Sequence, residues 1–152
     1  MKPVKILLLL AAFFMLAPMA CKKSSSKPQT VVSMTFKFNG TAETSTLLVA
    51  TYYKSQNTVQ IAGSVGSSQA LDLMIENIKT GTFDIATDPT IIASYSTALD
   101  LDHTYLGTTG KIVITAFTSD TIAGTFEFSG TNGLGQAGSV TDGSFSAKLI
   151  TQ

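Results

Sequence analysis

Residues 133–138 read Gly-Leu-Gly-Gln-Ala-Gly, GLGQAG, a literal G-x-G-x-x-G. In a dinucleotide-binding enzyme this loop succeeds a strand and opens a helix, and the helix N-terminus holds the pyrophosphate. A strand pattern does precede it, in TFEFSG at 125–130. Residues 139–152, SVTDGSFSAKLITQ, alternate with a period of two and carry an Asp142-Gly143 turn signal. The helix that would receive a phosphate is replaced by another strand. GLGQAG is therefore read as a loose hairpin loop between two late strands, its glycines supplying positive φ. No nucleotide is expected.

The same period of two runs outward from this point. Ile122, Gly124, Phe126 and Phe128 alternate with Ala123, Thr125 and Glu127. Phe145, Ala147 and Leu149 alternate with Ser146 and Lys148. Earlier in the chain Met34, Phe36 and Phe38 alternate with Thr35 and Lys37, and Asn39-Gly40 comes next as a hairpin signal. Further strands are expected at Leu47–Tyr53, Val59–Val65, Leu71–Ile75, Phe83–Ile85 and Lys111–Phe117. Gly, Asn, Asp and Ser fill the gaps. This spacing predicts an all-β domain, an antiparallel sandwich or barrel of about eight strands. Asp72 and Glu127 fall on the polar faces of their strands, where solvated residues belong. Residues 89–101, after Asp88, form the longest stretch without clear alternation. With Asp88 as cap and Pro89 at the first position, they are expected to form a short helical or irregular crossover.

The first thirty residues have a different character. Lys2 and Lys5 precede the apolar run Ile6–Leu16, and small residues lead to Cys21, the layout of a bacterial export signal over 1–20. LAPMAC at 16–21 resembles a lipobox, which implies cleavage before a lipidated Cys21; Pro18 departs from the usual leucine. Residues 21–30, CKKSSSKPQT, read as the lipidated cysteine and a flexible tether, leaving 31–152 as one β domain. Lys22 after the cysteine lacks the aspartate of inner-membrane retention, so an outer-membrane, lipid-anchored location is expected.

Charge narrows the partners. Removing 1–20 leaves 10 − 2 = 8 lysines against 10 acids, a net charge near −2, and the chain has no arginine. Nucleic-acid binding is not expected without a basic patch or a guanidinium. Cys21 is the single cysteine, so no intramolecular disulfide forms. A domain of this length buries roughly two-thirds of its unfolded surface and needs no such staple.

The motifs FKFNG, GKIVIT at 110–115, IAGTFEF at 122–128 and VTDGSF at 140–145 resemble a family of small lipoproteins of Gram-negative bacteria, known as a domain of unknown function. The resemblance implies an exported β domain and carries over no catalytic residue.

Candidate chemistry centres on LDLDH at 99–103. Asp100 and Asp102 could hold calcium, helped by Asp84 or Asp88, and His103 beside them could serve a hydrolase. No G-x-S-x-G elbow accompanies that histidine, and no other cofactor is expected. The ligand-binding candidates are the rings of Tyr52, Tyr53, Tyr95 and Tyr105, which could meet a glycan. The favoured expectation is an envelope-anchored, non-enzymatic module that meets a protein or glycan with loops 89–108 and 130–140. A passive envelope component is the remaining alternative.

Overall fold

Alternation decides which way each strand faces, and in the computed structural model it does so almost everywhere. The structure describes residues 32–152. The signal at 1–20, the lipidation at Cys21 and the tether to residue 30 lie outside the described residues. Ten strands succeed one another: β1 (Ser33–Phe38), β2 (Thr41–Thr44), β3 (Leu47–Tyr53), β4 (Thr58–Val65), β5 (Gln69–Ile75), β6 (Gly81–Asp84), β7 (Ile91–Ser96), β8 (Thr104–Phe117), β9 (Thr121–Thr131) and β10 (Ala137–Thr151). The domain is all-β, as expected, with no helix among the described residues.

Seven strands close on themselves in the order β10-β3-β4-β5-β7-β8-β9, and β9 returns to β10. Outside this ring, β1 adds to β10, β2 adds to β1, and β6 adds to β8. Closing the ring removes the free edges at which an open sheet would pair with other chains. The ring is not wholly antiparallel as expected. Leu149, Ile150 and Thr151 of β10 run parallel to Ala50, Thr51 and Tyr52 of β3. That seam is fastened by Gln152 N–H donating to Tyr52 O (2.9 Å) and Lys54 N–H donating to Gln152 O (3.1 Å).

Three local expectations change. The stretch 89–101 is no helical crossover, because Ile91, Ala93 and Tyr95 point inward on alternate positions and form β7 between β5 and β8. Asp88 does cap, but it caps a turn: its Oδ1 accepts from Thr90 N–H (3.0 Å) and Thr90 Oγ1 (2.6 Å). Asp142-Gly143 is no hairpin turn. Asp142 takes φ 53° and the register slips between Val140 and Gly143, a bulge within one long strand. Asn39-Gly40, by contrast, makes the predicted hairpin with φ 47° and 85°.

The core lies inside the ring. Met34 and Phe36 from β1, Ile61 from β4, Leu71, Leu73 and Ile75 from β5, Ile112 and Ile114 from β8, and Phe126 and Phe128 from β9 are all buried. Aromatic rings run through it in a line. Tyr105 meets Phe38 (4.9 Å between centroids), Phe38 meets Tyr95 (4.7 Å), Tyr95 meets Phe36 edge-on (5.2 Å), and Phe36 meets Phe126 (6.1 Å). These spacings fall in the range where rings attract beyond their simple burial. Where β8 and β9 cross most closely, Gly107 faces Gly130, and a side chain at 130 would collide with the Leu106 carbonyl.

The outer surface divides into two faces. Around β1, β10, β9 and the second half of β8 it carries ion pairs, Lys37–Asp142 (2.9 Å) and Lys111–Glu127 (3.2 Å), among exposed Ser and Thr. Around β3, β4, β5, β7 and the start of β8 it is nearly free of charge.

Both the seam and the buried phenol can be tested. Ending the chain after Lys148 removes the seam and the buried Leu149, and should cost at least about 3 kcal/mol in urea unfolding, with amide exchange rising first in β3. Burial, and next the charge of Glu43, push the Tyr95 phenol up to about 12 from an ordinary 10. The folded state therefore holds that proton more tightly. Its contribution to stability is fully present below pH 10 and is lost as pH rises toward 12, at about 1.4 kcal/mol per pH unit. In denaturant melts across that window Tyr95→Phe should lose stability less steeply than the wild type.

Candidate functional site

One end of the barrel gathers the β7–β8 connection (residues 97–103), the β9–β10 connection (132–136) and the β1–β2 turn. The two longer connections are built to hold their shape. Asn132 is buried, and its Oδ1 accepts from Leu134 N–H (3.1 Å) and Gln136 N–H (2.9 Å) while its Nδ2 donates to Gln136 Oε1 (3.0 Å). GLGQAG is thus a hairpin loop as expected, but it is tied down by the residue before it. The 97–103 loop is organised by Asp100, whose Oδ1 accepts from His103 N–H (2.9 Å) and lies 2.6 Å from His103 Nδ1. Thr104 Oγ1 closes the loop by donating to Asp100 O (2.7 Å). The two loops touch, for a side chain at Gly133 would meet the backbone of Leu101 and Asp102.

These braced loops hold out leucines. Leu99 is 80% exposed, Leu101 84%, Leu106 55% and Leu134 57%. An open groove of about 410 Å³ runs beside them, with Leu101 and Leu106 on one side and Thr131 to Gly133 on the other. Leucines this exposed are grouped at this end rather than scattered over the barrel.

The sequence candidates are dispersed differently. Tyr95 is fully buried in the core, its hydroxyl donating to Gln69 Oε1 (3.3 Å), so it cannot line a binding face. Tyr105 pairs across from Tyr95 and lies half-buried against Phe38. Tyr52 packs on Phe117 (5.3 Å) and donates to Asn57 Oδ1 (3.1 Å), while Tyr53 lies half-buried beside it at the other end of the barrel. The four rings form no shared platform. Asp100 and His103 do meet, and that hydrogen bond holds the Asp100 carboxyl below its ordinary value. Asp102 is exposed beside them. Asp84 and Asp88 sit elsewhere, at the β6–β7 connection, where Asp84 Oδ1 accepts from Ala86 N–H (2.9 Å) and Thr87 N–H (3.1 Å). Among the described residues no three His, Cys, Asp or Glu converge as a metal would need.

Asp72 differs from the solvated residue that its place on a polar strand face predicts. The structure half-buries it on the charge-poor face, where Gln60 Nε2 donates to its Oδ2 (2.8 Å). Desolvation raises its carboxyl above the ordinary value, against the opposing effect of Gln60.

The fold and this end together define a closed β barrel that presents an apolar, braced loop surface. Residues 44–147, more than half of the chain, match the family described as a domain of unknown function (DUF6252), and the chain belongs to that family. No curated protein and no solved structure matches it.

Removing the brace tests its role. Asn132→Ala leaves two backbone N–H groups without their acceptor and should cost about 1–3 kcal/mol, with amide exchange rising at Leu134 and Gln136 while β4 and β5 stay protected.

Proposed function

We propose that this chain is an exported, lipid-anchored binding module of the bacterial outer membrane, without enzymatic activity, which grips its ligand with the leucine end of the barrel. The observation that carries this reading is the set of four exposed leucines on and beside loops held rigid by Asn132 and Asp100. A rigid loop loses little entropy when it binds, so its contacts convert more fully into affinity. The Asp100–His103 pair is engaged in shaping its own loop, which supports a structural role over a catalytic one.

The course of β1 fits an anchor on the N-terminal side. Its start, Ser33, pairs with Ser146, while Phe38 pairs with Val140 beside the β9–β10 loop. The chain therefore enters at the end away from the leucines, and a lipid on Cys21 would leave the leucine end facing away from the membrane.

The test has two arms. Cells fed labelled palmitate should label the wild-type chain and leave Cys21→Ala unlabelled and released from the membrane fraction. The soluble domain should melt several degrees higher with its ligand in a panel of glycans and not with calcium, since a ligand at a hundred times its Kd adds ~2.7 kcal/mol. Leu99→Ser with Leu101→Ser should abolish that shift, and His103→Ala should preserve it. Loss of the shift in His103→Ala alone would point to a hydrolase or metal reading instead.

A further inference from the structure

The charge-poor face of the barrel carries a more specific message than its leucine end. Cross-strand pairing sets its outward side chains in rows. One row runs Leu47, Ser64, Ala70, Ser96, Thr104, and the next runs Val49, Ala62, Asp72, Ser94, Leu106. The third runs Ile150, Thr51, Gln60, Met74, Ile92. In these rows Asp72 is the one acidic or basic residue, and it stands at the centre. Nine large hydrophobic residues are exposed among the described residues, and eight of them lie on this face or on the leucine loops that adjoin it; Val32 is the exception. The opposite face of the same barrel keeps lysines and acids paired in water. One protein thus has one face with the composition of a solvated sheet and another with the composition of a covered one.

Charge says what would cover it. Among the described residues, the acidic side chains on this face and its adjoining loop are Asp72, Asp100 and Asp102, with no lysine beside them. A second copy placed face to face about a two-fold axis through the centre of the rows would bring Asp72 against Asp72, a like-charge contact in a dehydrated interface. A bilayer would have to dehydrate the Asp72 carboxylate and the Ser, Thr and Gln side chains of the rows, and it supplies no partner for them. A protein surface that is apolar and offers a Lys or Arg side chain satisfies both features. The rows alone cover roughly 400 Å² of sheet, about half of what one partner buries in a stable complex, and the leucine end adjoins them.

We propose that the face formed by β3, β4, β5, β7 and the start of β8 is a docking surface for a partner protein whose complementary surface is apolar and places a basic side chain against Asp72. The proposal rests on the reading of the chain as a binding module and extends it from the loop end to the sheet face.

The experiment is site-specific photo-crosslinking of the full chain in the cells that encode it. A benzophenone amino acid replaces Ile92 or Val49 on the face, Leu101 on the loop end, or Ser144 on the opposite face. The expected result is an adduct from positions 92 and 49 to one other polypeptide, absent from position 144. Mass spectrometry of the joined peptide should find Lys or Arg beside apolar residues. Asp72→Lys should reduce the yield at least about tenfold, as breaking a desolvated charge pair does. Asp72→Asn keeps the shape and removes the charge, so it should also reduce the yield without lowering the melting temperature. The proposal is overturned by adducts of the chain with itself, by adducts to lipid, by equal yield from position 144, by indifference to both Asp72 variants, or by no adduct at 92 and 49. An adduct at Leu101 with none at Ile92 would sink the docking face and leave the loop-end reading standing; none at either position would sink both.

Discussion

The barrel depends on one strand changing partners. Near its start β10 lies between β9 and β1, and at Leu149 it takes β3 instead. A straight ribbon could not serve both neighbourhoods. The bulge at Asp142-Gly143 bends it, with Asp142 in the left-handed region and Gly143 so close to Phe126 that a side chain there would strike its ring and carbonyl. On either side of that bulge β10 takes β1, whose Phe36 and Phe38 meet Tyr95, and its last residues then pair with β3 to close the ring.

That closure also decides which surfaces stay free. Because the ring strands are paired on both sides, free strand edges remain only at the outer strands β2 and β6 among the described residues, and the ring itself presents faces and loops. The ring's two flanks then differ in chemistry although they share a core. On the flank of β9 and β10, Lys111 and Glu127 neutralise each other in solvent. On the flank of β4 and β5, Asp72 has only the neutral amide of Gln60. A lone carboxylate among alanine, methionine and isoleucine is costly to keep unless something compensates it.

Much of this is legible in the residues, and the gaps have physical causes. The alternations of Met34-Phe36-Phe38, of Val59 to Val65 and of Ile122 to Phe128 mark strands because one flank of each is buried. β2 leaves no such mark, since TAET has no apolar alternation; it is an outer strand with little to bury. β7 is obscured by Ile92, an exposed isoleucine beside Ile91 that breaks the alternation of IIASYS, and by Pro89, which imitates a helix start. The Gly- and Thr-rich first half of β8 resembles a loop. The parallel seam is not legible, because pairing residue 50 with residue 149 is a property of the whole ring and of no local pattern. That Leu99, Leu101 and Leu134 stand exposed is not legible in the sequence, because whether a loop leucine is covered depends on what the folded chain sets over it. The connections around 97–103 and 132–136 do lie within the stretches that the sequence marks as loops. The tyrosines are a different matter, because a ring's burial depends on distant neighbours such as Phe38 and Phe117.

The seam at Ala50 and Leu149 has a consequence in time as well as in space. Joining positions about a hundred residues apart carries a chain-closure entropy of about 4 kcal/mol, which no local contact can offset in advance. Folding of such non-local topologies runs on the millisecond-to-second scale. Until Leu149 to Thr151 have emerged, β3 has no second neighbour, so a partly synthesised chain stays open. The ring therefore closes only after β3 to β9 have been made.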